Sequence, residues 1–139
     1  MDILVQAHVA YRLSYHMVWI PKYRWKILKP GVASYLEKIL ETYLADTMPD
    51  VQIEEFNAQI DHVHMLVIIP PKYAISTIVQ KLKAHSAFKL KKKFDYLKAR
   101  PAVWSTGYFV SSVGIDEHAI KKYIRFQEKH DTGQAKLVA

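Results

Sequence analysis

His62 and His64 flank Val63 inside Gln59 to Pro70, an apolar run that Pro70-Pro71 closes. If the run is a strand, both rings project from one face. Their Cα atoms then lie about 7 Å apart, and the rings can lean onto one ion. The plainer reading is a pair of half-buried histidines satisfied by hydrogen bonds. Burying two on one apolar strand costs more than burying one, yet spacing alone leaves both readings open. Near the other end of the chain, Tyr123 and Gln127 stand one helical turn apart on a face shared with Ile120 and Ile124. They either pack there or reach a common point. Two imidazoles and an amide oxygen suit Mg²⁺ or Mn²⁺ with positions left for phosphate and water. Such an ion polarises a phosphoryl oxygen for in-line displacement. Tyr123 is then the candidate nucleophile, although a phenol of pKa about 10 must first lose its proton. No residue stands out as the base. Cysteine is absent, so only histidine, carboxylate, amide or water can hold a metal.

Several elements must position these residues. Residues 7–20 alternate, with Val9, Tyr11, Leu13, Tyr15, Met17 and Trp19 on one face, and predict a strand ended by Pro21. Residues 32–48 carry an amphipathic helical repeat through Val32, Leu36, Ile39, Leu40 and Leu44. A short strand is expected over 51–56, with Asn57-Ala58 as its tight link to the histidine strand. That strand is apolar on both alternating sets, which predicts a central position covered on both sides. A second helix follows with Ile75, Ile78, Val79, Leu82, Ser86 and Leu90 along one stripe. A loop is expected over 95–103, a fourth strand over 107–113, and a break or hinge at Gly114. The last helix runs from Asp116, its N-cap, to His130, with a mobile tail over 131–139. The order is β-α-β-β-α-β plus a carboxy-terminal helix. It predicts an α+β, ferredoxin-like (RRM-like) antiparallel sheet of split β-α-β topology, in one domain spanning 1–139 with its core at about 8–130. Asp61 falls on the face opposite the two histidines, which favours a structural role. His16, on a neighbouring strand, either lines the site or packs.

The net charge of +7 is unevenly placed. Residues 81–100 hold eight lysines and arginines against the single acid Asp95. Lys22, Arg24, Lys26 and Lys29 form a second cluster, and aromatic rings are interleaved with both. Solvated helix faces produce lysine runs too, but charge interleaved with stacking surfaces favours nucleic acid. Lys22, Tyr23, Arg24, Lys83, Lys91 and Lys92 are the candidate contacts. No apolar run approaches the ~20 residues of a membrane span, and the amino terminus lacks a signal-peptide pattern. An intracellular location, in the cytoplasm or nucleoid, is therefore expected.

His62-Val63-His64 has the form histidine–hydrophobic–histidine, and Tyr123-x-x-x-Gln127 lies on the final helix. In both, the chain resembles the small single-tyrosine HUH transposases of insertion sequences that move as single-stranded DNA. The resemblance extends over Tyr15 to Trp19 with Pro21 to Arg24, over Asp61 to Met65 with Ile69 to Tyr73, and over Trp104 to Gly114. It implies that Tyr123 attacks a phosphate in single-stranded DNA, leaving a 5′-phosphotyrosine link and a free 3′-hydroxyl. A second 3′-hydroxyl would then rejoin the strands without ATP. It also implies that His62, His64 and Gln127 hold the Mg²⁺ or Mn²⁺. It implies a homodimer that recognises hairpins at the element ends, in which the tyrosine helix can act in the partner's active site. Histidine-triad hydrolases are excluded, because Leu66 stands where their third histidine belongs. A related HUH single-strand nuclease or replication initiator, and a non-catalytic hairpin-binding domain, are the alternatives. The second gives the four chemical positions no joint purpose.

Overall fold

The computed structural model describes residues 4–6, 9–11, 13–112, 114 and 116–133, with side chains from Leu13 onward. A hairpin of β1 (Leu4–Gln6) and β2 (Val9–Tyr11) forms a small two-stranded sheet. The main sheet holds β3 (Ser14–Trp19), β4 (Gln52–Gln59), β5 (His62–Ile68) and β6 (Phe109–Ser111). Its order is β4-β5-β3-β6, antiparallel throughout. Helices α1 (Pro30–Thr47), α2 (Ile75–Lys93), α3 (Asp95–Lys98) and α4 (Glu117–Asp131) complete the expected α+β, ferredoxin-like arrangement. Among the described residues, no helix is long and apolar enough to cross a membrane.

The pleat divides the chemistry from the core. On β3 and β5, Met17, Trp19, Val63, Met65 and Val67 point to one face and are buried in a cluster with Leu36, Leu40, Leu82 and Leu90 of α1 and α2. The opposite face carries Val18, His62 and His64, and α4 lies across it. Ile120 and Ile124 of α4 bury against Val18 and Ile20, with Phe109 and Tyr123 packed alongside. The histidine strand is thus internal and covered on both sides, as its double apolar pattern requires.

Several boundaries differ from the sequence expectation. The strand expected over 7–20 is two strands, β2 in the small hairpin and β3 in the main sheet. Residues 7, 8 and 12 lie outside the described residues. Alternation continues through both pieces, and it carries no mark of where a chain changes sheets. The tight link is Ile60-Asp61, not Asn57-Ala58, which pair with His64 and Val63 inside β4. Being an edge strand, β4 keeps polar residues to its end. The stretch 95–103 contains the helical turn α3 rather than loop alone. The fourth strand is short, Phe109–Ser111, because Trp104 makes only an isolated bridge to Pro21. Val113 lies outside the described residues. The final helix begins as expected, with the Asp116 carboxylate accepting from the Ala119 N–H.

Ser86, the polar residue on the buried stripe of α2, is fully buried and accepts the Trp104 indole N–H at 3.0 Å. Trp104 in turn meets Trp19 edge-on, with ring centroids 5.8 Å apart. Ser86→Ala leaves that indole donor unpaired and is expected to cost about 1–3 kcal/mol. Urea denaturation should show a lowered midpoint at unchanged slope; an unmoved midpoint would contradict this role.

Candidate active site

The turn before β5 sets the first histidine. Asp61 sits in the turn itself, where strand alternation does not apply, and its Oδ1 lies 3.0 Å from His62 Nδ1. The expectation that Asp61 points away from the histidines is therefore overturned. Its other oxygen accepts from Arg24 Nε at 2.9 Å. Partial burial pushes the Asp61 pKa up, but the His62 hydrogen bond and the Arg24 charge outweigh it and hold the carboxyl below its ordinary value. A carboxylate on Nδ1 fixes the tautomer with the proton there and leaves His62 Nε2 as the free donor atom. Burial, then the neighbouring His16 and His62, lower the pKa of His64, so its ring is neutral at pH 7. His16 touches the second histidine: its Nδ1 lies 3.2 Å from His64 Nε2. A recess of about 330 Å³ opens over the pair His62 and His64, walled by Asn57, Gln59, Glu117, Ile120, Lys121 and Ile124.

Tyr123 and Gln127 share one face of α4, as expected, but that face is seated elsewhere. His64, Val18 and Phe109 stand level across three adjacent strands, which separates the His64 and Phe109 backbones by about 10 Å. The Tyr123 ring packs on Phe109, with centroids 5.9 Å apart. Its hydroxyl is buried without a hydrogen-bond partner. Burial, and then the Asp131 carboxylate, push the pKa of this phenol up. Gln127 is buried against Gly107, where a Cβ would collide with its Oε1, and its Nε2 reaches Asp131 Oδ1 at 3.4 Å. It lines a separate recess with Thr106, Gly107, Phe126 and His130. Among the described residues, no three His, Cys, Asp or Glu side chains converge to hold an ion. The structure therefore brings His16, His62 and His64 to one face and seats Tyr123 and Gln127 apart from them.

Asp131 holds that seat. It is the last residue of α4 rather than the first of a mobile tail; residues 134–139 lie outside the described residues. Its side chain is fully buried and accepts from Ser105 Oγ at 2.8 Å and from the Tyr23 backbone N–H at 2.9 Å, with Lys22 Nζ at 3.5 Å. Tyr23 and Arg24 both adopt positive φ, 55° and 54°, a strained pair for residues bearing Cβ. Their contacts to Asp131 and Asp61 hold the turn in that conformation. The Arg24 guanidinium also reaches Glu128 Oε1 at 3.5 Å.

The candidate DNA contacts divide. Lys83 is largely buried and donates to the Ser105 and Gly107 carbonyls at 2.6 and 2.8 Å. Burial lowers its pKa to about 8, with Asp131 opposing the shift. Lys22 and Arg24 are engaged with carboxylates, while the Tyr23 ring is 43% exposed. Lys91 and Lys92 line a surface recess with Lys98 and Phe88, whose ring is 63% exposed.

Asp131→Ala removes hydrogen bonds to a buried charge, worth about 1.5–3 kcal/mol. Amide exchange along α4 is expected to accelerate roughly 10- to 100-fold while α1 and α2 keep their protection. Unchanged exchange in α4 would show that the helix is held by its apolar face alone.

Comparison with known proteins agrees with this geometry. Residues 9–127 match the family model described as transposase IS200 like. The chain is 34% identical over 132 residues to the transposase for insertion sequence element IS200 of Salmonella typhimurium, covering 90% of this chain and 83% of the relative. It is 33% identical over 125 residues to the ISDra2 transposase TnpA of Deinococcus radiodurans, covering 87% and 86%. Among solved structures, a putative transposase from Deinococcus radiodurans superposes with a TM-score of 0.74 at 25% identity, over 96% of this chain and 99% of that one. A REP-associated tyrosine transposase bound to a REP hairpin shares the fold at a TM-score of 0.55 and 9% identity, over 95% and 76%. With its family model matched over residues 9–127 and a relative 34% identical over most of both chains, the chain belongs to the family of IS200-like transposases.

Proposed function

We propose that this transposase cleaves and rejoins single-stranded DNA at insertion-sequence ends, with Tyr123 as nucleophile. The observation that carries the reading is the histidine face itself. His62, oriented by Asp61, and neutral His64 project together beneath α4, which carries Tyr123 with its hydroxyl buried. In the step, the Tyr123 oxygen bonds to phosphorus as the bond to the departing 3′-oxygen breaks, and the phenol proton passes, net, to that 3′-oxygen. The 5′ end is then held as a phosphotyrosine and the 3′ end is a free hydroxyl. Attack by another 3′-hydroxyl reverses the exchange, so ester bonds are conserved in number and ATP is not consumed.

The donor set fits a divalent ion: His62 offers Nε2, His64 is neutral, and amide and water oxygens complete such sites. Mg²⁺ or Mn²⁺, held by His62 and His64 and by Gln127 once it arrives, would polarise the phosphoryl oxygen and offset its charge. Tyr123 cannot attack from its present seat, where its hydroxyl is buried and its pKa raised. Helix α4 must leave Phe109 and Gly107 to bring Tyr123 and Gln127 to the histidines, in its own subunit or across a homodimer. Gly114, between β6 and α4, is the hinge the sequence offers for that movement. Lys91, Lys92 and the exposed Phe88 offer charge and a stacking surface for hairpin DNA.

The test mixes the protein with labelled single strands from the DNA flanking its own gene, with and without Mg²⁺ or Mn²⁺. A metal-dependent covalent adduct on one strand is expected, and Tyr123→Phe should bind the same strand without forming it. Tight binding with no adduct on any strand would favour the non-catalytic hairpin-binding reading. A strand cut but never rejoined would favour a related single-strand nuclease or replication initiator.

A further inference from the structure

An aromatic and cationic surface beside the histidine face takes no part in the roles above. It begins at the strained turn after β3, from which Arg24 reaches Asp61 and so the first histidine. In that turn the exposed Tyr23 ring meets the half-buried Trp25 ring edge-on, with centroids 5.3 Å apart. The Arg100 guanidinium lies over Trp25, 4.0 Å from the ring centroid. Arg100 follows α3 and stands four residues beyond Tyr96, whose ring is 39% exposed. The Tyr96 hydroxyl donates to the Ile27 carbonyl at 2.6 Å, and the Ile27 N–H to the Trp25 carbonyl at 2.9 Å. Those bonds tie the α3 side to the turn side. Lys29 Nζ stands 5.0 Å from the centroid of the Tyr96 ring.

The charge here is unspent. Among the described residues, Lys22, Arg24 and Lys98 each hold a carboxylate, whereas Arg100 and Lys29 hold none. Arg100 Nε is moreover buried without a hydrogen-bond partner. A guanidinium fixed on an indole, with no acid to neutralise it, is suited to a phosphate. Exposed rings held beside it are platforms for bases, and stacking on them requires bases that are not already paired. Tyr96 is held by its hydroxyl bond, and Tyr23 through its backbone N–H by Asp131.

We propose that Tyr23, Tyr96 and Arg100, with Trp25 beneath the guanidinium, bind the unpaired DNA strand that leads to the histidine face. The proposal rests on the single-strand reading above and assigns residues to the unpaired part of the substrate, other than those offered to the hairpin. Tyr23 and Tyr96 stack bases, and Arg100 takes a phosphate of the same stretch. The near end of the surface is the turn that joins Asp131 to Asp61, so the strand enters beside both α4 and His62.

The experiment follows the fluorescence anisotropy of a labelled single strand from the DNA flanking the gene, a hairpin with its unpaired flank, without metal so that no strand is cut. The comparison strand is the same hairpin with the flank removed. Tyr23→Asn, a residue that tolerates positive φ, and Tyr96→Leu should each weaken binding of the flanked strand at least ~5-fold. Arg100→Gln should lower the slope of log affinity against log salt by ~0.7, the share of one phosphate. Tyr23→Phe keeps the ring and should keep the affinity. All four variants should bind the trimmed hairpin as the wild type does. Circular dichroism melts check folding, and Tyr23→Asn and Arg100→Gln suffice for the test should Tyr96→Leu unfold. Equal losses on the trimmed hairpin, or no loss on the flanked strand, would overturn the surface. A flank-dependent loss beside a wild type that forms no covalent adduct with metal would keep the surface and overturn the proposed chemistry.

Discussion

A buried carboxylate fixes the state of this molecule. Asp131 has no exposed side-chain surface, so its charge requires partners. Its partners are the Ser105 hydroxyl, the Tyr23 N–H of the strained turn, the Lys22 ammonium and the Gln127 amide. Those contacts join the end of α4 to the approach of β6 and to the turn after β3. From the same turn Arg24 extends the other way, to Asp61 and so to the His62 ring. A continuous polar chain therefore runs from the tyrosine helix to the first histidine. Buried partners of this kind are satisfied together or lost together, which makes the seat of α4 a discrete position rather than a loose one.

The sheet separates stability from chemistry by its pleat. One face is filled by α1 and α2 with aliphatic side chains and the Trp19–Trp104 pair, and contains no part of the candidate site. Among the described residues the other is covered by α4 alone, whose apolar contacts are few: Ile120 and Ile124 on Val18 and Ile20, and Tyr123 on Phe109. A helix attached by so small an apolar patch, with a polar latch at its end, is suited to exchange positions without disturbing the core. Its seat also keeps the Tyr123 phenol protonated. The phenol sits in a low-dielectric place beside a carboxylate, where ionisation is opposed twice.

Much of this was legible in the sequence, and the exceptions share a cause. Period-two and period-3.6 patterns found the histidine strand, the three long helices and the shared face of Tyr123 and Gln127, because burial on one side imposes those periods. They missed whatever depends on where separate elements meet. Lys83 looks like its neighbours along α2, and only the loop at Ser105–Gly107 laid against it makes it a buried donor to backbone carbonyls. Asp131 reads as a polar tail residue until Lys22, Tyr23 and Ser105 surround it. Asp61 was assigned a direction by continuing the strand through what is a turn. The contact of His16 with His64 shows only once the register of β3 against β5 is known. The split of the first strand is invisible for the same reason, since both halves alternate alike.

Under the proposed function, Tyr123 is stored away from the histidines and α4 must relocate for chemistry. The absence of native cysteine allows two spin labels to be placed cleanly, through Lys122→Cys on the exposed side of α4 and Glu41→Cys on α1. Their distance distribution would be measured by pulsed dipolar spectroscopy in the free protein and with a single-stranded element end and Mg²⁺. The account predicts one distribution at the docked distance in the free protein and a displaced one with DNA and metal, as the adduct forms. An unchanged distribution in a sample that has formed the adduct would contradict it, since Tyr123 would then have reached the phosphate from the seat described above.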